Sequence, residues 1–435
     1  MGINLWKRWI YSALCKLDPA HYSLIFALLA FSYCAIFLPN EDLGIPTASC
    51  RLPHLNPWDP SIMPYYFKLP PLECHLYAPT PFYIIQDLDS DALKLEGETA
   101  DVSCKYRTIS GDGDYHVKYG DSVDIDHFPF LNKWPKESDF IEITCHHSVS
   151  KQTYIDIFSH IQPKMEPDPD VDSKWNIAII GIDSLSYLNA IRQLPKSMKK
   201  LQDSDALIFK GANKVGENTF PNLVGLLTGE RIELNSGETL SKRLPHDGKK
   251  QTFDNYPLIW NEFKDAKYST LFSEDFPRSG AFQNNRKGFS QQPTDHYGRT
   301  MFLGFENLLD DNGRYFVPWL KELEHHHIQL NSVPTMCFQN RAKHNIVWNY
   351  SIRQFVKTYS GRNPFCALSW LVEPGHDHIN PISQMDDDLV ELLNMLERQK
   401  ASKRTFVFVL ADHGSRTDAY VFLVSFLVFA NLFLF

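Results

Sequence analysis

Two apolar runs in this chain stop abruptly on potential metal ligands, and this constrains the fold more than any other feature. Ile177–Ile182 ends on Asp183 and Ser184, and Phe406–Leu410 is followed by Ala411, Asp412, His413 and Gly414. Apolar runs of this kind suit strands buried on both faces of a parallel sheet. In open α/β sheets, ligands bind beyond the carboxyl ends of the strands. Asp183, Asp412 and His413 are therefore expected to converge from distant parts of the chain. Between them in sequence lies Glu217–Asn222 (ENTFPN), which carries Thr219 just before a helix-like stretch. Two carboxylates, one imidazole and one hydroxyl make a half-site for a hard or borderline metal beside an activated nucleophile. A metal-dependent esterase or transferase follows as the expected class.

A chain of 435 residues allows one large domain and a smaller one. The net charge of −9 and the lack of a basic stripe argue against a nucleic-acid partner. Four regions are expected. Residues 1–45 form a cytoplasmic leader and signal anchor, and 46–172 a cysteine-containing, β-rich region, either a small domain or an amino-terminal extension of the next. Residues 173–418 form the α/β domain with a largely parallel sheet, and 419–435 an apolar tail.

Tyr22–Leu38 is uncharged and at the short end of what spans a bilayer. Lys7, Arg8 and Lys16 precede it, and Glu41 and Asp42 follow. The positive-inside rule then places the rest of the chain in the lumen or outside the cell, as a single-pass type II membrane protein. A cleaved signal peptide, giving a secreted protein, and a buried core helix are the rival readings. Cys50, Cys74, Cys104, Cys145, Cys337 and Cys366 lie beyond the anchor without any Cys-x-x-Cys pair, which fits up to three disulfides. Buried free thiols are the alternative. Asn349-Tyr350-Ser351 is a glycosylation sequon.

Residues 40–80 are rich in proline and aromatics and read as extended structure pinned by Cys50 and Cys74. Short strand-like segments around residues 81–88, 99–106 and 139–147 follow. In the α/β region, strands are expected at Trp175–Ile182, Ala206–Phe209, Ser269–Phe272, Ala367–Val372 and Thr405–Leu410. Leu185–Leu201 reads as one helix, and Pro221–Leu227 as a helix closed by Gly229. Leu389, Leu392, Leu393 and Leu396 mark the buried face of another, opened by Asp386–Asp388.

Each candidate residue has a plainer reading. Thr219 suits an N-cap, Asn222 an ordinary helix position, and Asp183 a cap for the following helix. Asp412-His413-Gly414 is harder to explain as capping. Glu373, His376, Asp377 and His378 follow a third strand, so three strand ends carry ligand-type residues. Asp295 and His296 are candidates for a substrate pocket or a turn, and His325–His327 reads as a solvated face.

Taken together, CRLPHLNPWDP, IGIDSLSYLNAIRQLPKS, FKGANKVGENTFPNLVGLLTGE, PTDHYGR and LADHGSR resemble the alkaline phosphatase–sulfatase superfamily. Within it, the chain is similar to the metazoan family called domain of unknown function 229, over roughly residues 50–416. The resemblance implies an alkaline-phosphatase-like α/β/α sandwich and a site for two divalent metals, usually zinc. Asp183, Asp412 and His413 would hold one metal, which also activates Thr219. His376 and an acid beside it, Glu373 or Asp377, would help to hold the second. Asn222 would bind a non-bridging oxygen of the substrate. Thr219 would attack phosphorus, and water or an acceptor alcohol would discharge the phospho-enzyme. Sulfatases of this clan use a modified cysteine in a Cys-x-Pro-x-Arg setting, which this sequence lacks, so a phosphoester substrate is favoured over a sulfate ester. Relatives continue well past the Asp-His-Gly motif and supply a further histidine, whereas here the sequence passes into the apolar tail. A single-metal half-site, or an inactive member serving as a membrane-anchored binding or structural glycoprotein, are the alternatives that this departure raises.

Overall fold

The computed structural model describes residues 44–46, 51–74, 81–130, 134–233, 239–240, 244–308 and 336–416. The expected anchor Tyr22–Leu38, Cys50, the His325–His327 run and the tail 419–435 lie outside them. Among the described residues no helix is long and apolar enough to cross a membrane. The chain forms two compact units, Met1–Leu55 and Asn56–Phe435. In the first, Gly44–Pro46 pairs antiparallel with Arg51–Pro53.

The second unit begins with antiparallel structure. β1 (Phe82–Gln86) pairs with β2 (Leu93–Gly97), burying Phe82 and Ile84 while Tyr83 and Ile85 face outward. β3 (Val102–Asp112), β4 (His116–Tyr119), β5 (Val123–Ile125), β6 (Phe140–His147) and β7 (Thr153–Ser159) form a sheet ordered β4-β3-β6-β7, with β5 also on β3. The three expected strand-like segments are β1, β3 and β6. The Cys104–Cys145 disulfide joins directly opposed residues of β3 and β6. Cys74 bonds to Cys337, so the expected pinning of residues 40–80 by Cys50 and Cys74 gives way to a long-range staple. Cys366 is a buried free thiol, leaving two disulfides among the described residues.

The α/β part is built on a five-stranded parallel sheet of β8 (Asn176–Ile182), β9 (Ser269–Glu274), β10 (His296–Tyr297), β11 (Phe365–Leu371) and β12 (Thr405–Leu410). Their order is β10-β9-β11-β8-β12. Every residue of β9 and β11 is buried; β11 is the apolar run that a doubly covered strand requires, whereas β9 also buries Ser269, Thr270, Ser273 and Glu274. Gly181 in β8 is needed because a Cβ there would meet the Trp370 ring of β11 at 1.9 Å.

Both faces of the sheet are covered. On one, α1 (Tyr187–Gln193), α2 (Pro195–Asp203), α5 (Arg299–Asn307), the run from α6 (Lys343–Trp348) through a wider turn at Asn349–Gln354 into α7 (Phe355–Tyr359), and α8 (Asp386–Lys403) contribute to one core. That core takes in Ile109, Phe140 and Ile157 of the antiparallel sheet, and all four leucines expected on α8. On the other face, α3 (Thr219–Thr228) and α4 (Ile259–Asp265) pack Phe220, Val224 and Trp260 against Phe272 and Trp370.

The helix expected over Leu185–Leu201 is two helices. Pro195 cannot continue α1, because it lacks an N–H, but it suits the first turn of α2. Asp386 caps that new start, accepting from the Lys196 and Ser197 amides at 3.0 and 2.8 Å. Ala206–Phe209 is not a strand. It is a loop that leaves Leu207 85% exposed beside edge strand β12.

Candidate active site

β8 and β12 are neighbours, so their carboxyl ends deliver Asp183 and Asp412–His413 to one corner. One ligand atom from each of the three residues lies within 4.8 Å of the others. They are 1%, 3% and 4% exposed, respectively. Ser184 ties the corner together. Its amide donates to Asp412 Oδ1 at 3.1 Å, and its hydroxyl donates to Asp183 Oδ1 at 2.7 Å. To do so it adopts φ 60°, a left-handed conformation that non-glycine residues hold only where surrounding contacts impose it.

Thr219 enters at the start of α3, and its hydroxyl donates to Asp183 Oδ2 at 3.0 Å. The helix start turns unpaired amides and the positive end of its dipole toward the same space. His413 Nδ1 faces the Gly414 carbonyl at 2.8 Å, leaving Nε2 3.3 Å from Asp412 Oδ2. That carboxylate oxygen is buried without a hydrogen bond. Burial, then the charge of Asp183, pushes the Asp412 carboxyl up to about 6. Two buried acids, one of them with an orphaned oxygen, and a histidine nitrogen form a donor set that a divalent cation fits.

β9 and β11 bring a second pair of acids to the same edge of the sheet. Asp275 accepts from the Val372 and Glu373 amides, and Lys343 donates to both oxygens of Glu373 at 2.8 Å. Burial, then the neighbouring Glu373, raises Asp275 to about 7; burial also raises Glu373, against the pull of Lys343. Glu373 is thus engaged by an internal cation. The following turn, Glu373–His376, lies against the first corner, and a Cβ on Gly375 would meet the Asp183 carbonyl oxygen at 2.1 Å. His376 Nδ1 bonds Asp377 Oδ1 at 2.7 Å, and this contact raises the imidazole above its ordinary value despite burial. Among the described residues, neither His376 nor Asp377 belongs to the three-residue cluster.

A cavity of about 310 Å³ opens over Thr219, with His376, His413, Arg286 and Arg416 in its walls. Asn222 is not in that wall. Its Oδ1 accepts from the Val215 and Gly216 amides, and its Nδ2 donates to the Gly216 and Asn218 carbonyls. All of its amide capacity therefore shapes the loop that presents Thr219, and the asparagines on the cavity are Asn218 and Asn284.

Asp295 and His296 are also elsewhere. Asp295 accepts from Thr270 on the neighbouring strand, and fully buried His296 bridges Asp139 and Tyr359 at 2.6 and 2.8 Å. They join the parallel sheet to the β-rich layer and do not line the Thr219 cavity. The sequon asparagine, Asn349, is 9% exposed and donates to Gln86, with Tyr350 and Ser351 fully buried. This packing offers no surface position for a glycan.

Several functional candidates escape a linear reading. Ser184 is revealed only by its backbone conformation, and Lys343 only by the approach of α6 to β11. Arg286 sits in the polar stretch Asn284–Gly288, where glycine at least signals a turn (Gly288, φ 59°). That turn is held by the β-rich layer: Asp114 accepts from the Phe289 amide at 2.9 Å, and the Tyr115 hydroxyl donates to the Arg286 carbonyl at 2.6 Å.

No curated protein matches the sequence. Among solved structures, the phosphonate monoester hydrolase SpPMH from Silicibacter pomeroyi aligns at 14% identity and a TM-score of 0.32. The alignment covers 55% of this chain and 63% of the hydrolase, a likeness too slight to carry an assignment. The family model described as "Protein of unknown function (DUF229)" matches residues 80–315 and 312–425, most of the chain and all of the site above. The chain belongs to that family.

Proposed function

We propose that this chain is a metal-dependent phosphoester hydrolase or phosphotransferase with alkaline-phosphatase-like chemistry and Thr219 as its nucleophile. The observation that carries the reading is the Thr219–Asp183 hydrogen bond, made where the start of α3 meets the ligand corner. Asp183, Asp412 and His413 would hold a divalent metal, zinc by ligand type, which when bound lowers the pKa of a coordinated hydroxyl and stabilises developing negative charge. The engagement of Glu373 by Lys343 favours one metal over two, with His376 and Asp377 as the residues left for a second.

Thr219 is directed by its bond to Asp183 and by the dipole of α3, which favours an alkoxide over the neutral hydroxyl. Its oxygen attacks phosphorus, forming the Oγ1–P bond as the ester P–O bond breaks. Thr219 gives up one proton and the leaving alkoxide gains one. Water or an acceptor alcohol then breaks the Oγ1–P bond and returns a proton to Thr219. The two disulfides support a lumenal or extracellular setting, with Tyr22–Leu38 as the proposed membrane anchor.

The test is turnover of an aryl phosphate by the zinc-loaded full chain. Thr219→Ala should lower the rate by about a thousandfold or more, and quenched wild-type protein should carry phosphothreonine at position 219. A fully active Thr219→Ala variant contradicts the assignment.

A further inference from the structure

The cavity over Thr219 carries an imbalance of charge. Arg286 stacks on Phe220, the residue after Thr219, with its guanidinium carbon 3.6 Å from the ring centroid. Its Nη1 donates to the Asn284 carbonyl at 2.9 Å, while its Nε is buried without a hydrogen bond. Arg416 donates to the Glu217 carbonyl across the same opening. Among the described residues, neither arginine forms an ion pair with a carboxylate. Asp247, whose field reaches Arg286, is paired with Lys249 at 3.5 Å, and Glu217, beside Arg416, with Lys214 at 2.9 Å.

Two unneutralised guanidinium groups over a nucleophile call for a ligand that brings its own negative charge. Arg286 is also pre-set for the task. Stacking fixes its plane, and the Tyr115 and Asp114 contacts fix its loop, so little side-chain freedom remains to be lost on binding.

Resting on the phosphoester reading above, we propose that Arg286, with Arg416, selects substrates ending in a dianionic phosphate, that is phosphomonoesters, over monoanionic phosphodiesters. A diester places a neutral alkyl group where the monoester offers a second charged oxygen. It would leave the half-buried guanidinium of Arg286 without a charged partner, a loss that exposed Arg416 feels less.

The experiment is calorimetric titration of the zinc-loaded full chain with inorganic phosphate and, separately, dimethyl phosphate. It is run at about pH 8, above the second phosphate pKa of roughly 6. The wild type should bind phosphate more tightly by about tenfold or more, the share of one charge-assisted contact. Arg286→Gln should erase most of that preference, and Arg286→Lys should retain part of it. Thermal melts of both variants establish that they remain folded. Thr219→Ala should keep the preference, which separates anion selection from turnover: retained selection without turnover in the wild type would overturn the enzymatic reading alone. Equal affinity for the two anions, no binding of either, or an unchanged preference in folded Arg286→Gln would overturn the selection proposal, whatever the turnover result.

Discussion

The parallel sheet ends in two acid-bearing corners that are alike in sequence and opposite in electrostatic outcome. At one, β9 and β11 present Asp275 and Glu373, and the chain supplies Lys343 and two backbone amides to meet them. At the other, β8 and β12 present Asp183 and Asp412. There the chain supplies hydroxyls, amides and a histidine but no lysine or arginine within ion-pair distance among the described residues. Buried carboxylates need a cation or a proton. The first corner carries its own cation and is closed; the second, with an orphaned oxygen on Asp412, is built to receive one from outside. An acid at the end of an apolar strand therefore signals a site only when the rest of the chain leaves it unneutralised.

Four substitutions test this contrast. The largest effect is on turnover. Asp412→Ala should abolish aryl-phosphate hydrolysis, by about a thousandfold or more, while Glu373→Gln should stay within about tenfold of wild type. Steady-state kinetics of the two purified variants check this, and equal losses would erase the distinction between the corners.

Next is stability. Lys343→Met strands Glu373 beside Asp275 in a buried site, and removing one partner of such a pair costs about 3–5 kcal/mol. Denaturant unfolding should register that loss while metal binding persists. A change under about 1 kcal/mol would place the pair among those of little consequence.

The last effect is spread over pH and is the smallest at any one pH step. Glu274 lies behind the cavity wall, where burial raises its carboxyl to about 8, partly opposed by the Ala281 amide and Arg299. The folded protein holds this proton more tightly than the unfolded chain. The associated stability is therefore complete at pH values below the ordinary carboxyl range and is lost as pH rises toward about 8. Glu274 alone should lower the unfolding free energy across that window by up to about 1.4 kcal/mol per pH unit. Glu274→Gln, which keeps an acceptor for Ala281, should reduce the slope by that one-proton share, the raised Asp275 and Glu373 supplying part of the rest. An identical slope in the variant would assign the dependence to other groups.

The parallel sheet was legible because strands buried on both faces must be written as apolar runs, and those runs end where ligands belong. Asp183, Asp412, His413 and Thr219 were accessible for that reason. The helix break within Leu185–Leu201 was visible in principle, since proline at 195 suits a first turn and not a helix interior. Residues whose roles depend on an approach between distant elements were not legible. Asn222 is used up by its own loop, His296 by Asp139 and Tyr359, and Glu373 by Lys343; none of these partners is near in sequence except the loop of Asn222. The antiparallel layer read either as a small domain or as an amino-terminal extension of the α/β domain, and nothing in the sequence signals that its Asp114–Tyr115 turn grips the loop of Arg286.

The most direct test of the account is metal content. The full chain would be saturated with zinc, freed of excess and analysed for bound metal, beside the Asp183→Ala/Asp412→Ala double variant and Glu373→Gln. The wild type should hold about one zinc per chain tightly, lost in the double variant and retained in Glu373→Gln. A wild-type chain that holds no metal, or a double variant that holds as much as the wild type, would contradict this expectation.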